Sequence, residues 1–341
     1  MHRRSLLALA ALSLPLWLAS GPIVARADSG YRITGPVVHQ NLAVYFVHGA
    51  SSAGAVPLTL AEALAAKAVR VSETGSVNEL TIENLGNREI FVQSGDIVKG
   101  GQQDRVLSVS LVLPPRSGSI PIAAFCVEQG RWSKRGDEDA RQFATASAAV
   151  PSRTAKLAIQ PAPGPSLGFV GDRQHAVWEE AARFQRKLSA RLGGSVASPQ
   201  SSTSLQLTLE NEKLKQAQRG YVAALQRAGE QDADIVGYAF AINGELSSAD
   251  VYPSNALFRK MWTKLLTAGA TEAIASQREG GAAAPESAAV AAFLDAAEGG
   301  AVTRRALPNA VELDIHSADR ALYLETRRRD GSWVHRGYVM K

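Results

Sequence analysis

One cysteine, Cys126, stands in the 341-residue sequence, so no intrachain disulfide can form and stability must come from packing. Long apolar runs are scarce too. Beyond the N-terminus no segment stays apolar for the roughly twenty residues that a membrane-crossing helix needs. His39, His48, His175, His316 and His335 are scattered, and none forms an H-x-H or H-x-x-x-H pair. No metal centre is therefore expected, and no motif calls for a cofactor. No repeat of solenoid period is visible. A surplus of one charge is also missing once the N-terminus is set aside.

That N-terminus reads as an export leader. His2, Arg3 and Arg4 give a basic start, Leu6 to Ala19 an apolar stretch, and Ala25-Arg26-Ala27 a small-residue cleavage signal. The expectation is a signal peptide over 1–27, a mature chain from Asp28, and a periplasmic or secreted protein without a membrane span. Arg3-Arg4-Ser5-Leu6-Leu7 also resembles a twin-arginine signal, and the export route stays open. Lys plus Arg number 37 against 32 acids; removing Arg3, Arg4 and Arg26 lowers the formal charge from +5 to +2. Such a balanced surface excludes nucleic acid as an expected partner, because that binding needs a basic face.

What is present is enough apolar residue, 45%, to bury a substantial core. From 28 to 143 short alternating runs recur between Gly and Pro turns: Val37 to Val47, Val69 to Glu73, Glu79 to Glu83, Ile90 to Gln93, Leu107 to Leu113 and Ile120 to Val127. Thr59 caps a short helix with Glu62 in its first turn. Residues 144–171, rich in Ala, Ser and Pro, read as a linker. From 172 to 341 helical spacing predicts helices at Asp172 to Leu192, Leu209 to Arg227, after Ser254, and at Ser287 to Ala297. Strands at Ile235 to Ile242 and Glu245 to Tyr252 flank Asn243-Gly244, the dipeptide a type I′ hairpin prefers; Ala321 to Thr326 and Trp333 to Met340 flank Asp330-Gly331. The expected class is α+β: an N-terminal antiparallel β-sandwich or jelly-roll-like unit, then helices packed on a smaller antiparallel sheet, the two units able to pack as one domain.

Three stretches carry a family resemblance: SGDIVKGGQQDRVLSVSLVLPPRSGSIPIAAFCVEQGRW, VGYAFAINGELSSADVYPSNALFRKMWTKLL and ETRRRDGSWVHRGY. From about Gly35 to the end the chain resembles the ADP-ribosylglycohydrolase- and rhodanese-phosphatase-superfamily-associated protein domain. The resemblance implies a link to ADP-ribose or other nucleotide and phosphate chemistry, supplied by partners as much as by this domain. It carries over no catalytic residues.

Two segments could hold a ligand. In the first, Gly100 and Gly101 let backbone N–H groups approach an anion, with Asp96, Lys99, Gln102, Asp104 and Arg105 around them. It is no P-loop, because Gly101-Gln102 stand where Lys and Ser or Thr are required. In the second, Glu128 shares a strand face with Cys126, Arg131 is its expected partner, and Trp132 offers a stacking wall. The blander reading makes these a solvated turn and a structural clamp, and makes Cys126 a small buried apolar group. The leading expectation is a non-enzymatic binding domain for a small anionic or nucleotide-like ligand. The alternatives are a hydrolase with Asp96 or Glu128 as base and Lys99 or Arg105 stabilising charge, and a module that docks on another envelope protein.

Overall fold

The computed structural model describes residues 25–27, 29–161, 171–278, 280 and 282–341. Most of the expected leader, its apolar stretch included, lies outside them. Ala25 and Arg26, on the leader side of the expected cut, form the short strand β1. β2 (Arg32–His39) and β3 (Leu42–His48) follow as a hairpin. Next come β4 (Leu58–Thr59), α1 (Leu60–Ala65), β5 (Val69–Glu73), β6 (Glu79–Asn84), β7 (Ile90–Val92), β8 (Asp96–Gly100), β9 (Arg105–Leu107), β10 (Leu111–Leu113), β11 (Gly118–Cys126) and β12 (Phe143–Ala149). The second half holds α2 (Arg153–Ile159), α3 (Gly171–Arg191), α4 (Leu205–Leu209), α5 (Glu212–Leu225), β13 (Ile235–Ile242), β14 (Glu245–Val251), α6 (Asn255–Ser276) and α7 (Ser287–Glu298). Four strands close it: β15 (Ala301–Leu307), β16 (Val311–Ser317), β17 (Ala321–Arg328) and β18 (Trp333–Met340).

The class is α+β. Residues 58–149 build a six-stranded sheet, β12-β8-β9-β11-β6-β5, and a three-stranded one, β10-β7-β4, whose β4–β7 pair is parallel. Leu80, Ile82, Leu107, Ile120 and Ile122 share one core with Ile90, Val92, Leu111 and Leu113 from the smaller sheet. Helices α2, α5, α6 and α7 pack on a nine-stranded antiparallel sheet, β1-β2-β3-β13-β14-β18-β17-β16-β15. It is larger than the C-terminal strands alone would make, because β1 to β3 join it. β3 is buried at every residue, so it needs a neighbour on both edges and a cover on both faces. Leu42, Val44 and Phe46 meet the core under α3, α5 and α6, while Ala43, Tyr45 and Val47 meet the core under α7.

Two local differences have physical reasons. The stretch read as a linker holds β12 and α2 within its described part. After Phe143, β12 is built of Ala, Ser and Thr, which lack the bulk that signals a strand; small side chains let α1 and α6 lie close, and Ala146 is fully buried. The run Leu107 to Leu113 is two strands, not one. Ser108 to Ser110 carry the chain from one sheet to the other, and the Ser110 carbonyl accepts from Thr326 Oγ1 at 3.0 Å.

Candidate functional site

The turn from β8 to β9 has the backbone that its glycines permit. Gly100 and Gly101 take φ of +126° and +59°, and a Cβ on Gly101 would lie 2.6 Å from Glu73 Oε1 and from the Phe143 ring. Donors converge on an anion here, as glycine chemistry suggests, but the anions belong to the chain. Gly100 N–H donates to Asp104 Oδ1 at 3.1 Å and Gln102 N–H to Glu73 Oε1 at 3.0 Å. Gly101 N–H donates to the carbonyls of Asp139 and Gln142.

Behind the turn lies a closed group of charges. Asp104 and Glu128 are 0% exposed. Arg135 donates to both oxygens of Asp104, at 2.9 and 3.0 Å, and to Glu128 at 3.3 Å. Arg131 pairs with Glu128 at 2.7 Å and donates to the carbonyls of Gly100 and Gly101. Ser204 Oγ adds a 2.7 Å bond to Asp104. Burial alone would raise the Glu128 carboxyl, but bonds from Arg131, Ser201 and the Asp104 N–H outweigh it and hold it below the usual range. Burial likewise works against the Arg135 charge, and the Asp104 and Glu138 carboxylates overcome it.

The other expected residues divide. Arg105 is fully buried, bonded to Glu73 Oε2 at 2.9 Å, to Val77 O and to Cys126 Sγ, with the Trp132 ring 5.6 Å away. Burial pushes the Cys126 thiol up to about 11, despite Arg105, which suits a packing role rather than a nucleophile. Lys99 pairs with Glu210 at 2.7 Å, and Asp96 with Lys264 and the Gln93 N–H. So the two segments do converge at Gly100, Gly101, Asp104, Glu128 and Arg131, while Asp96 and Lys99 face α4 and α6 instead. Arg135, Glu138, Glu73 and Ser204 were not legible beforehand. Arg135 had a local signal, seven residues beyond Glu128 on the same segment; Glu73 and Ser204 are distant in sequence and had none.

A cleft of about 660 Å³ opens on the outer side of this group, between residues 129–136 and 199–203. Arg131, Lys134 and Arg135 line it with Gln129, Gln200, Ser201, Ser202 and Thr203; no acid does. Asp104 and Glu128 hold the two guanidinium groups from behind. Lys134 is exposed and has no ion-pair partner among the described residues.

Two further groups bring histidine into play. Ser110 Oγ lies 3.1 Å from His335 Nδ1, and His335 Nε2 lies 3.1 Å from Asp250 Oδ1, outside hydrogen-bond alignment. Asp250 Oδ2 also accepts from the Tyr238 hydroxyl. The chamber beside them measures about 40 Å³, room for a few waters at about 10–15 Å³ each. Through these contacts Ser110, on the link between the two earlier sheets, meets β18 and β14 of the large one. His48, Asp232 and Asp234 place ligand-type atoms within 4.8 Å of one another. Arg32 already fills the place of a cation there, 2.7 Å from both His48 Nδ1 and Asp234 Oδ2. Gly164, Ser166 and Gly168 spell G-x-S-x-G, a match the sequence reading missed, and lie outside the described residues.

No curated protein and no solved structure matches the chain. One family model does, over residues 30–339 of the 341. The chain belongs to the ARG and Rhodanese-Phosphatase-superfamily-associated Protein domain family.

Proposed function

We propose that the chain is an exported, non-enzymatic binding protein whose ligand is a small anion or a nucleotide-like molecule carrying one, held in the cleft beside Arg131, Lys134 and Arg135. The observation that carries this reading is the cleft's lining, three cations and no acid among hydroxyls and amides. Arg135 and Arg131 spend their terminal N–H donors on Asp104, Glu128, Glu138 and backbone carbonyls, so they stand as fixed charges while Lys134 supplies the free donors. The flanking hydroxyls suit phosphate or sugar oxygens.

Calorimetry with inorganic phosphate and ADP-ribose tests it. Saturable heat is expected with at least one of them, and Lys134→Ala should weaken it about tenfold, since one charge-assisted hydrogen bond is worth roughly 1.5–3 kcal/mol. Absence of heat with both would remove the reading. The hydrolase alternative draws less support: Glu128 is fully covered and held ionised by arginine, a poor proton acceptor. Export has its own check. Periplasmic protein should begin at Asp28; material retaining Ala25 and Arg26 would instead keep the β1 pairing with Arg32 and Ile33.

A further inference from the structure

A separate groove of about 490 Å³ lies among α4, α5, α6 and β12, within the 300–1,000 Å³ that ligand sites occupy. Its wall carries Lys215, Lys260 and Lys264 against one acid, Glu210, and its floor Leu209, Met261 and Ala268. Glu210 is already bonded to Lys99, and the three lysines each have one carboxylate partner outside the groove's lining: Glu212 for Lys215, Glu62 for Lys260 and Asp96 for Lys264.

Two polar groups here are under-used. Lys264 has three N–H donors and one partner, Asp96, while its side chain is 11% exposed and so has little access to water. Gln206 is 2% exposed; its Nε2 donates to Glu210 at 2.8 Å, and its Oε1 has no partner. A buried acceptor without a donor costs free energy that a ligand hydroxyl or amide N–H would recover. A fully hydrated anion such as phosphate would leave the apolar floor unused.

We propose that this groove binds an amphipathic organic anion: a carboxylate for Lys264 and Lys260, a hydroxyl or amide donor for Gln206 Oε1, and a short hydrocarbon chain over Leu209, Met261 and Ala268. It goes beyond the phosphate-type cleft and does not depend on it.

Calorimetry on the full chain with 3-hydroxyoctanoate, octanoate and 1,3-octanediol is the test. The hydroxy acid should bind saturably, octanoate about tenfold more weakly for want of the donor, and the uncharged diol more weakly again. Gln206→Leu should erase the difference between hydroxy acid and octanoate while keeping octanoate affinity. Thr263→Trp, at an exposed rim position, should close the groove and abolish binding of both acids. Lys134→Ala should leave these affinities unchanged, and Thr263→Trp should leave any phosphate heat unchanged. No saturable heat with either acid, or unaltered binding in Thr263→Trp, would overturn the proposal.

Discussion

Glu128 answers two arginines at once, so its loss is a test of how closely the charges behind the cleft are balanced. Glu128→Ala leaves Arg131 with Asp104, 3.8 Å away, as its only carboxylate and Arg135 with one carboxylate fewer in a buried setting, and should cost about 3–5 kcal/mol in denaturant unfolding. Acidity should act on the same residue. Glu128 and Asp250 both have lowered folded values, so their stabilisation is complete above the ordinary carboxylate range and is lost as pH falls through the folded one. Glu272 runs the other way: burial raises it, and its contribution is lost as pH rises through its folded value. A melting-temperature profile from pH 3 to 8 should fall on the acid side, and Glu272→Gln should remove the loss that sets in as pH rises above the ordinary carboxylate range. At this scale the sequence showed the Glu128–Arg131 pair because the two lie three residues apart. It could not show that Glu73 and Asp104 supply the turn's anions, since those contacts join separate strands.

Among the elements, α6 shows how tightly the helices lie on the nine-stranded sheet. A Cβ on Gly269 would come within 2.5 Å of the Phe240 ring on β13. Gly269→Ala should therefore destabilise, by about 1–3 kcal/mol, even though alanine is the better helix former. An unchanged or raised melting temperature would show that the helix can lift without cost. Ser254, which caps α6 by accepting from the Leu257 N–H, should give about 1 kcal/mol on replacement by alanine. Caps and hairpin turns were legible because their chemistry is local: Thr59 and Glu62 form the full reciprocal box, and Asn243 and Gly244 take the positive φ their turn requires. β12 was not, because a strand of small residues is defined by the helices that cover it.

Across the whole molecule, the order of strands in the large sheet ties the two ends of the chain together. β3 pairs with β13 along seven residue pairs, from Ile235 with His48 to Ile242 with Leu42. Leu313, Ile315 and Leu322, near the C-terminus, enter the core of the earlier sheets. Expressed apart, residues 28–170 and 171–341 should each lack a cooperative melting transition, and mixing them should restore one; a fragment that melts cooperatively alone would contradict this. The α+β class was readable from the alternation of spacings along the chain, whereas the partner of a strand fully apolar on both faces was not.

That pairing also governs what happens while the polypeptide is still emerging. The strand at Leu42–His48 is made early, and its neighbour at Ile235–Ile242 arrives nearly two hundred residues later. Until then a strand apolar from Leu42 to Val47 has one open edge, the kind that recruits other chains. Productive biogenesis thus calls for keeping this first hairpin apart from its fellows until translation has passed Ile242.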